Sequence, residues 1–505
     1  MAASNIRKTV MVILDGWGIG PKDAVNPIYV ADPVNIRYFR ENFPCCALQA
    51  SGLAMGLPWA EEGNSEVGHL TIGSGQTVYQ NAVRISLAIE DKSFFNNPVL
   101  LYVIKKAKEK GSSVVISGMI GTGITHSSFK HLLALIELCS RENVPVKLHL
   151  MTDGRDSAPD ACLALIRQLP EDRIGSIGGR FYGMDRDNHE DRINQAMKAI
   201  RGNGFAFQGT PSDYVKKNYE GGVNDEVIRP VPFSPETLSA RDSDSVIFFN
   251  FRSDRMRELS RAMKTAFPNS EIASFTEYEP NSGILPAFSI EKITEPLGKV
   301  ISDAGLMQLR VAESEKSAHV TYFFNAEQED PFEREFRIII PSRNIASHDK
   351  FPEMMADEIT TRVVSAMEEG SYDFILVNFA NADMIAHTGN FEATITAIRK
   401  LDECLGMIAT AALRLNISLI VTADHGNAER LIDPTTGEKD TRHNPNPIPF
   451  YLIDSRFGRK KTPAEGEAAE KEVIGSLCDV APTVLQLMGL KKPNVMTGQS
   501  LLPFF

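Results

Sequence analysis

Residues 418–429 have the sequence Ser-Leu-Ile-Val-Thr-Ala-Asp-His-Gly-Asn-Ala-Glu, in which a short apolar run leads directly into an acid, an imidazole and a glycine. An uninterrupted β-branched run of this length is typical of a strand buried on both faces. The polar residues then lie at the carboxyl end of the strand, where open α/β sheets bind their ligands. This stretch therefore predicts a buried strand with a ligand site at its end.

The same arrangement recurs along the chain. Apolar runs precede polar or glycine-containing residues at 9–14, 113–116, 146–150, 245–249 and 374–377. Helical patterns separate these runs, at 129–140, 160–169, 191–201, 351–368 and 392–415. The alternation predicts an α/β fold with mostly parallel sheets.

Length and composition narrow the classes of function. With 505 residues, the chain is long enough for more than one lobe, and the Gly/Pro/Asn-rich stretch at 278–286 is typical of a connection near a lobe boundary. The formal charge of -12 argues against a nucleic-acid partner. No apolar run reaches the ~18 residues of a membrane span. The six cysteines show no CxxC spacing, so we expect a cytoplasmic protein.

Acids and histidines gather at predicted strand ends. Asp383 and His387 are four residues apart and face the same side of a helical turn. Each residue alone also fits a structural role, as a turn former or as a hydrogen-bonded core histidine. Together they offer ligands for two metal ions, and mixed oxygen and nitrogen ligands suit Mn, Zn or Co better than Mg or Ca. The six residues are Asp15, Asp383, His387, Asp424, His425 and His443.

A candidate nucleophile lies in the stretch Gly63-Asn-Ser-Glu-Val-Gly-His69, which resembles the start of a helix. Ser65 would lie near free backbone N–H groups and the positive end of the helix dipole, where phosphate binds well. The alternative is that Ser65 or Asn64 is only an N-cap. A nearby metal ion would favour the first interpretation, because it lowers the pKa of a serine hydroxyl.

Arginines cluster between residues 155 and 260. Their guanidinium groups fit carboxylate and phosphate oxygens, and several of them can hold a small polyanion on an acidic protein. Each one singly also fits a surface charge or a salt-bridge partner. The cluster comprises Arg155 next to Asp156, Arg186, Arg192, Arg252 and Arg255.

Seven motifs together resemble those of cofactor-independent phosphoglycerate mutases, a family of the alkaline phosphatase superfamily, and they occur in that family's order over nearly the whole chain. The motifs are Asp15-Gly-Trp-Gly, Gly63-Asn-Ser-Glu-Val-Gly-His69, Asp153-Gly-Arg-Asp156, Asn250-Phe-Arg-Ser-Asp-Arg255, Glu315-Lys316, Asn378-Phe-Ala-Asn-Ala-Asp383 and Ala423-Asp-His-Gly-Asn-Ala-Glu429. The resemblance implies an alkaline-phosphatase-like parallel-sheet lobe, residues 1–78 plus 312–505, and an inserted α/β transferase lobe, residues 79–311, that binds phosphoglycerate.

The resemblance also implies roles for individual residues. One metal ion would be held by Asp383, His387 and His443, and the other by Asp15, Ser65, Asp424 and His425. The ions are expected to be Mn²⁺, with Mg²⁺ or Co²⁺ in some members of the family. The substrate would be bound by His126, Arg155, Asp156, Arg186, Arg192, Arg252, Arg255 and Lys316.

The implied reaction interconverts 3-phosphoglycerate and 2-phosphoglycerate without a 2,3-bisphosphoglycerate primer. Ser65 would become phosphoserine, Asp156 would be the acid/base for the substrate hydroxyls, and Lys316 would neutralise the transferring phosphoryl group. The resemblance further implies a monomer.

Some positions depart from the family pattern. Gly123-Ile-Thr-His126-Ser-Ser128 keeps the first histidine of a usual pair and lacks the second, Ala386 replaces a usual glycine, and Asn444-Pro445 replaces two threonines. The remaining alternatives are another two-metal phosphatase or phosphomutase of the same superfamily, and a binding protein that has lost turnover. The arginine cluster favours the mutase over the first, and an intact set of metal and nucleophile residues argues against the second.

Overall fold

The computed structural model describes residues 6–59, 61–289, 292–433 and 435–505. The chain folds as two compact units, which we call the first unit (Met1–Tyr79 with Lys292–Phe505) and the second unit (Gln80–Glu291). The second unit is therefore an insertion in the sequence of the first.

The described residues form fifteen strands, which we number in chain order. They are β1 (Thr9–Leu14), β2 (Cys45–Gln49), β3 (Val114–Ile120), β4 (Val146–Thr152), β5 (Ile174–Gly179), β6 (Val231–Pro232), β7 (Ser245–Phe248), β8 (Ile272–Ser274), β9 (Leu285–Pro286), β10 (Gln308–Glu313), β11 (Glu335–Ile340), β12 (Phe374–Phe379), β13 (Ser418–Thr422), β14 (Ile448–Ile453) and β15 (Val473–Ser476).

The α-helices of the described residues are also numbered in chain order. They are α1 (Pro27–Ala31), α2 (Val34–Asn42), α3 (Ser65–Ser74), α4 (Asn81–Glu90), α5 (Pro98–Glu109), α6 (Phe129–Arg141), α7 (Cys162–Ile166), α8 (Arg180–Gly183), α9 (Glu190–Ile200), α10 (Pro211–Glu220), α11 (Pro235–Leu238), α12 (Arg257–Ala266), α13 (Leu297–Asp303), α14 (Ala356–Glu369), α15 (Asn381–Ala386), α16 (Phe391–Leu415), α17 (Pro463–Lys471) and α18 (Val480–Met488). No helix among the described residues is both long enough and apolar enough to cross a membrane.

The first unit is built on an eight-stranded sheet with the order β11-β10-β12-β1-β13-β14-β2-β15. Strands β10, β11, β12, β1 and β13 are parallel, and β14 is antiparallel to both of its neighbours. Strands β1, β12 and β13 are buried along their whole length. Because Leu14 pairs with Phe379 and Ile13 with Thr422, the three strands end at the same edge. Residues that follow them in sequence are thereby brought together.

The second unit contains a seven-stranded sheet with the order β6-β5-β4-β3-β7-β8-β9, in which only β6 is antiparallel to its neighbour among the described pairs. Strands β3, β4 and β5 are buried on both faces. The α/β prediction with mostly parallel sheets is therefore confirmed for both units.

The predicted elements agree with the structure in position more than in length. All six predicted apolar runs are strands, namely β1, β3, β4, β7, β12 and β13, and all five predicted helices exist as α6, α7, α9, α14 and α16. Helix α14 begins at Ala356, later than the predicted start at residue 351, because the preceding residues form turns that include Met354 with a φ of 46°.

The predicted second boundary between the lobes, at residues 311/312, differs from the structure. This position lies inside β10, which pairs with β11 on one side and β12 on the other. A strand that is hydrogen-bonded along both edges belongs to its sheet as a whole, so the chain re-enters the first unit earlier, at Lys292.

Candidate functional site

Ser65 is the first residue of α3, and the preceding Asn64 is the N-cap. The Asn64 side chain accepts the N–H of Val67 at 3.0 Å, which satisfies one free donor of the helix end. The N-cap alternative therefore applies to Asn64, and the hydroxyl of Ser65 is left for other contacts.

The Ser65 hydroxyl lies at the centre of a buried charged group in the first unit. Ser65 Oγ donates to Asp15 Oδ1 at 2.9 Å and lies 3.0 Å from His425 Nε2. Lys316 Nζ donates to Ser65 Oγ at 2.8 Å, to Asp15 Oδ1 at 2.7 Å and to Asp383 Oδ2 at 2.8 Å. Lys316 is only 5% exposed, so its charge acts on these groups with little screening by water.

The pKa values of this group are set by burial and by mutual attraction. Burial alone would raise the pKa of Asp15 and of Asp383, but the charge of Lys316 and the contacts of the neighbouring histidines together outweigh it, and both pKa values fall well below the usual range. Burial would lower the pKa of His425, yet Asp424 and Asp15 raise it to about 10. Without a metal ion, Lys316 and protonated His425 therefore offset only part of the negative charge of Asp15, Asp383 and Asp424, which are all buried.

Two glycines allow the loops to approach this closely. Gly16 has a φ of 71°, and a Cβ there would lie 2.8 Å from Asp383 Cβ. A Cβ at Gly68, on α3, would lie 2.7 Å from the carbonyl oxygen of Asp424. Both distances are shorter than real side chains tolerate, so these positions require glycine.

Asp383, His387 and His443 form the first candidate metal group. His387 Nε2 and His443 Nε2 are 3.1 Å apart and lie 3.2 and 3.3 Å from Asp383 Oδ1. Each Nδ1 is hydrogen-bonded to a backbone carbonyl, that of Thr441 or of Gly63, at 2.8 Å. With its hydrogen on Nδ1, each neutral ring presents a lone pair on Nε2. Two lone pairs and a carboxylate that face one another fit a divalent cation.

Asp15, Asp424 and His425 form the second candidate metal group, next to Ser65. Asp424 Oδ1 accepts the backbone N–H groups of Gly16 and His425, at 3.1 and 3.0 Å. Asp424 Oδ2 is buried, and His69 Nδ1 lies 3.2 Å from it but donates its hydrogen to the carbonyl of Ser65, so this oxygen has no hydrogen-bond partner among the described residues. A buried carboxylate oxygen without a donor is costly unless a cation binds it. In both groups the candidate ligand atoms lie within 4.8 Å of one another.

Several polar residues of this site were not assigned a role from sequence. Asn378 Nδ2 donates to Asp15 Oδ2 at 2.8 Å and contacts His69 Nε2 at 3.0 Å. Asn427 Nδ2 donates to Asp383 Oδ1 at 2.8 Å. Asn378, His69 and Asn427 lie within the quoted motifs, but the group that each of them contacts depends on the packing of distant parts of the chain.

The second unit has its own charged cluster, centred on Arg180 at the start of α8. Arg180 donates to Asp153 Oδ1 and Asp156 Oδ2, both at 2.6 Å, and contacts His126 Nε2 at 3.0 Å. Burial and the charge of Arg180 lower the pKa of His126 to about 4. His126 is therefore neutral at pH 7 and, with Nε2 as acceptor, carries its hydrogen on Nδ1, which is buried without a partner among the described residues.

Sequence reasoning missed Arg180, although it follows strand β5 as the other site residues follow theirs. The strand has the sequence Ile-Gly-Ser-Ile-Gly-Gly, and glycine is a poor strand former. Gly178 and Gly179 are required because a Cβ at either would collide with Pro230 or the carbonyl of Glu226. The glycines that close packing requires remove the apolar pattern of a strand, so neither β5 nor the arginine that follows it is recognised from the sequence.

The predicted arginines differ in their surroundings. Arg186 and Arg252 both pair with Asp254, at 3.4 and 3.1 Å. Burial lowers the pKa of Arg255, and the neighbouring charges of Arg186 and Arg180 lower it further. Cationic side chains held this close together favour an anion between them.

Arg155 and Arg192 have other contacts. Arg155 is mostly exposed and lies 4.0 Å from Glu226. Arg192 pairs with Asp185 at 2.7 Å and stacks on the ring of Phe181. Asp185 also lies close to Asp187 and His189, but it accepts their backbone N–H groups as a turn does.

Comparison with known proteins gives consistent matches. The sequence matches the profile of the Metalloenzyme superfamily over residues 7–492. A 2,3-bisphosphoglycerate-independent phosphoglycerate mutase of Thermomicrobium roseum is 41% identical, over 97% of each chain. One of Moorella thermoacetica is 39% identical, over 99% of each chain. A Leishmania mexicana phosphoglycerate mutase, solved at low cobalt concentration, superimposes with a TM-score of 0.55 at 26% identity, over 99% of this chain and 98% of that one.

Proposed function

The chain belongs to the family of 2,3-bisphosphoglycerate-independent phosphoglycerate mutases, and from this premise we propose that it works through a phosphoserine formed on Ser65. The enzyme is a metal-dependent isomerase of glycolysis and gluconeogenesis that interconverts 3-phosphoglycerate and 2-phosphoglycerate. The observation that carries the proposal is the position of Ser65 Oγ, within 3.0 Å of Asp15, His425 and Lys316.

We propose two divalent ions, most simply Mn²⁺, with Mg²⁺ or Co²⁺ as alternatives. Asp383, His387 and His443 would hold one ion, and Asp15, Ser65, Asp424 and His425 the other. Mixed carboxylate and imidazole donors support a transition metal over a purely oxygen-liganded one. A bound cation would lower the pKa of the Ser65 hydroxyl, so that its proton is lost to solvent, and would neutralise phosphoryl oxygens.

In the first transfer, Ser65 Oγ bonds to the phosphorus of 3-phosphoglycerate as the bond between phosphorus and O3 breaks. Lys316 Nζ, which donates to Ser65 Oγ at 2.8 Å, offers a positive charge to the transferring group. The leaving O3 takes a proton from Asp156, which enters this step protonated on Oδ1 while its Oδ2 accepts from Arg180. Phosphoserine and glycerate result.

In the second transfer, Asp156 accepts the proton of the O2 hydroxyl, O2 bonds to phosphorus, and the bond to Ser65 breaks. Asp156 ends as it began, so one group suffices as acid and then as base. Its contact with Arg180 at 2.6 Å supports a fixed orientation for that carboxyl. The unpartnered Nδ1–H of His126 supports a role as a neutral donor to the substrate.

We propose that the second unit holds the phosphoglycerate through Arg155, Arg186, Arg192, Arg252 and Arg255, while the first unit carries out phosphoryl transfer. Burial and the neighbouring guanidinium groups lower the pKa of Arg255, which supports an anion at this cluster. Arg192 has the weakest support, because Asp185 already neutralises it.

We also propose a cytoplasmic monomer. All six cysteines are buried and free, as expected in a reducing compartment. Light scattering after size exclusion tests the oligomeric state.

The deciding experiment measures interconversion of 3-phosphoglycerate and 2-phosphoglycerate by metal-stripped protein, with and without Mn²⁺ and without 2,3-bisphosphoglycerate. Conversion should depend on Mn²⁺, and labelled phosphate should be trapped on Ser65 but not on the Ser65→Ala variant. Trapping on the variant, or full activity of it, would refute the phosphoserine mechanism. Release of phosphate without isomerisation would indicate the phosphatase alternative.

A further inference from the structure

Two buried asparagines of the first unit each contact one carboxylate of one candidate metal group. Asn378, in β12, donates to Asp15 Oδ2 at 2.8 Å, and Asn427, in the loop after β13, donates to Asp383 Oδ1 at 2.8 Å. Both side chains are fully buried. The two contacts therefore match in type, length and burial but serve different groups.

A second contact, with His69, fixes the orientation of the Asn378 side chain. Its Nδ2 also contacts His69 Nε2 at 3.0 Å, so both amide hydrogens are used and His69 Nε2 acts as the acceptor. The hydrogen of His69 is then on Nδ1, which donates to the carbonyl of Ser65 at 2.8 Å and lies 3.2 Å from Asp424 Oδ2. This chain of contacts links Ser65, Asp15 and Asp424, which belong to one metal group.

The carbonyl oxygens of both amides have no hydrogen-bond partner among the described residues. A buried polar group that is only half satisfied weakens a fold. The side-chain contacts of Asn378 and Asn427 therefore benefit the site more than they benefit stability. Partners that orient ligand carboxylates in this way tune metal affinity.

We propose that Asn378, supported by His69, and Asn427 are positioning residues that set the affinities of the two metal ions independently. Asn378 holds Asp15 in the group with Asp424 and His425, and Asn427 holds Asp383 in the group with His387 and His443. This inference rests on the proposed binding of two ions, and the test distinguishes a failure of the inference from a failure of the two-ion proposal.

The test is calorimetric titration of metal-stripped protein with Mn²⁺, using Asn378→Leu and Asn427→Leu. Leucine has nearly the shape of asparagine and no donor. Each variant should weaken one of two binding events by about 10- to 100-fold and leave the other within about threefold. Loss of kcat in each variant should be recovered at higher Mn²⁺ concentration, which a general structural defect would not allow.

The two events are assigned with His387→Ala and His425→Ala, which each remove a ligand of one group. Asn325→Leu is the matched control, because Asn325 also donates to a buried carboxylate, that of Glu335, at 2.7 Å, and also has an unpartnered carbonyl oxygen. It lies in the same unit but contacts neither metal group, so both affinities should stay unchanged.

If the wild-type protein shows two binding events and each variant weakens both of them equally, or weakens neither, the proposed role of the amides is wrong and the two-ion proposal stands. A stoichiometry of one Mn²⁺ per chain in the wild-type protein would refute the two-ion proposal and, with it, the independent sites. If a leucine variant does not fold, as judged by circular dichroism, Asn378→Ser and Asn427→Ser replace it, because serine leaves no apolar branch against the carboxylates.

Discussion

Replacement of Lys316 by Met should destabilise the metal-free protein far more than the metal-bound protein. Lys316 Nζ lies 2.7 Å from Asp15 Oδ1 and 2.8 Å from Asp383 Oδ2, and both carboxyl groups are buried. Loss of one partner of a buried ion pair typically costs about 3–5 kcal/mol. The free energy of unfolding of the metal-free first unit should fall by this amount. At saturating Mn²⁺ the difference from the wild-type protein should be smaller, because bound cations replace the positive charge that Lys316 gives to these carboxylates and therefore bind the variant more tightly. A Kd that is about 100-fold lower in the variant would offset roughly 2.7 kcal/mol for each ion.

The assay is urea unfolding followed by tryptophan fluorescence, with and without Mn²⁺. Both tryptophans, Trp17 and Trp59, lie in the first unit, and Trp17 is only 2% exposed, so the signal reports that unit. With a slope of about 3 kcal/mol per M urea, the metal-free midpoint should shift by roughly 1 M or more. Phosphoserine formation by the variant should fall even at saturating Mn²⁺, because the charge beside Ser65 Oγ is lost.

The matched control is Lys147→Met in the second unit. Lys147 is similarly buried and pairs with Asp244 at 2.7 Å, outside any candidate metal group. Followed by circular dichroism, it should lose comparable stability that Mn²⁺ does not restore. If Lys316→Met lost the same stability with and without Mn²⁺, or lost none, the balance of charges argued for this site would be wrong.

Three further outcomes are expected. Arg180→Met should lower kcat by about 100-fold, because Asp156 loses the hydrogen bond that orients it. The control is Arg173→Met, which removes an exposed ion pair of the same unit and should leave kcat unchanged. Because the pKa of His425 is raised to about 10 without metal, Mn²⁺ must displace its proton when it binds. The affinity for Mn²⁺ should therefore weaken about tenfold for each pH unit between pH 9 and pH 7. An affinity for Mn²⁺ that does not change over this range would contradict that pKa. Arg255→Ala should raise KM for phosphoglycerate about 10- to 100-fold with a smaller effect on kcat, and an unchanged KM would make Arg255 a surface charge.

The sequence was sufficient for the class of fold and for the position of its main strands. Uninterrupted apolar runs can only be buried on both faces, and the helical patterns between them leave parallel strands as the simplest arrangement. Parallel strands of one sheet end at the same edge, so the sequence predicts that Asp15, Asp383 and Asp424 share a ligand site. The pairing of β1 with both β12 and β13 brings these three strand ends side by side.

Other features were concealed because local sequence does not encode them. Strand β5 is rich in glycine for the sake of close packing, so neither it nor Arg180 stood out. The Gly/Pro/Asn-rich stretch at 278–286 lies close to the return to the first unit at Lys292, but composition alone does not give the boundary, which follows from the pairing of β10 with β11 and β12.

By itself, then, the sequence determined which residue types stand at the ends of buried strands, because burial and periodicity are local properties of the chain. Tertiary structure alone decided which carboxylate each donor holds. Lys316 and Asp15 are 301 residues apart, and Asn378 and Asp15 are 363 apart, yet both pairs are in hydrogen-bond contact. Such pairings depend on strand order and register, which are set by the packing of the whole sheet and not by any one stretch of sequence.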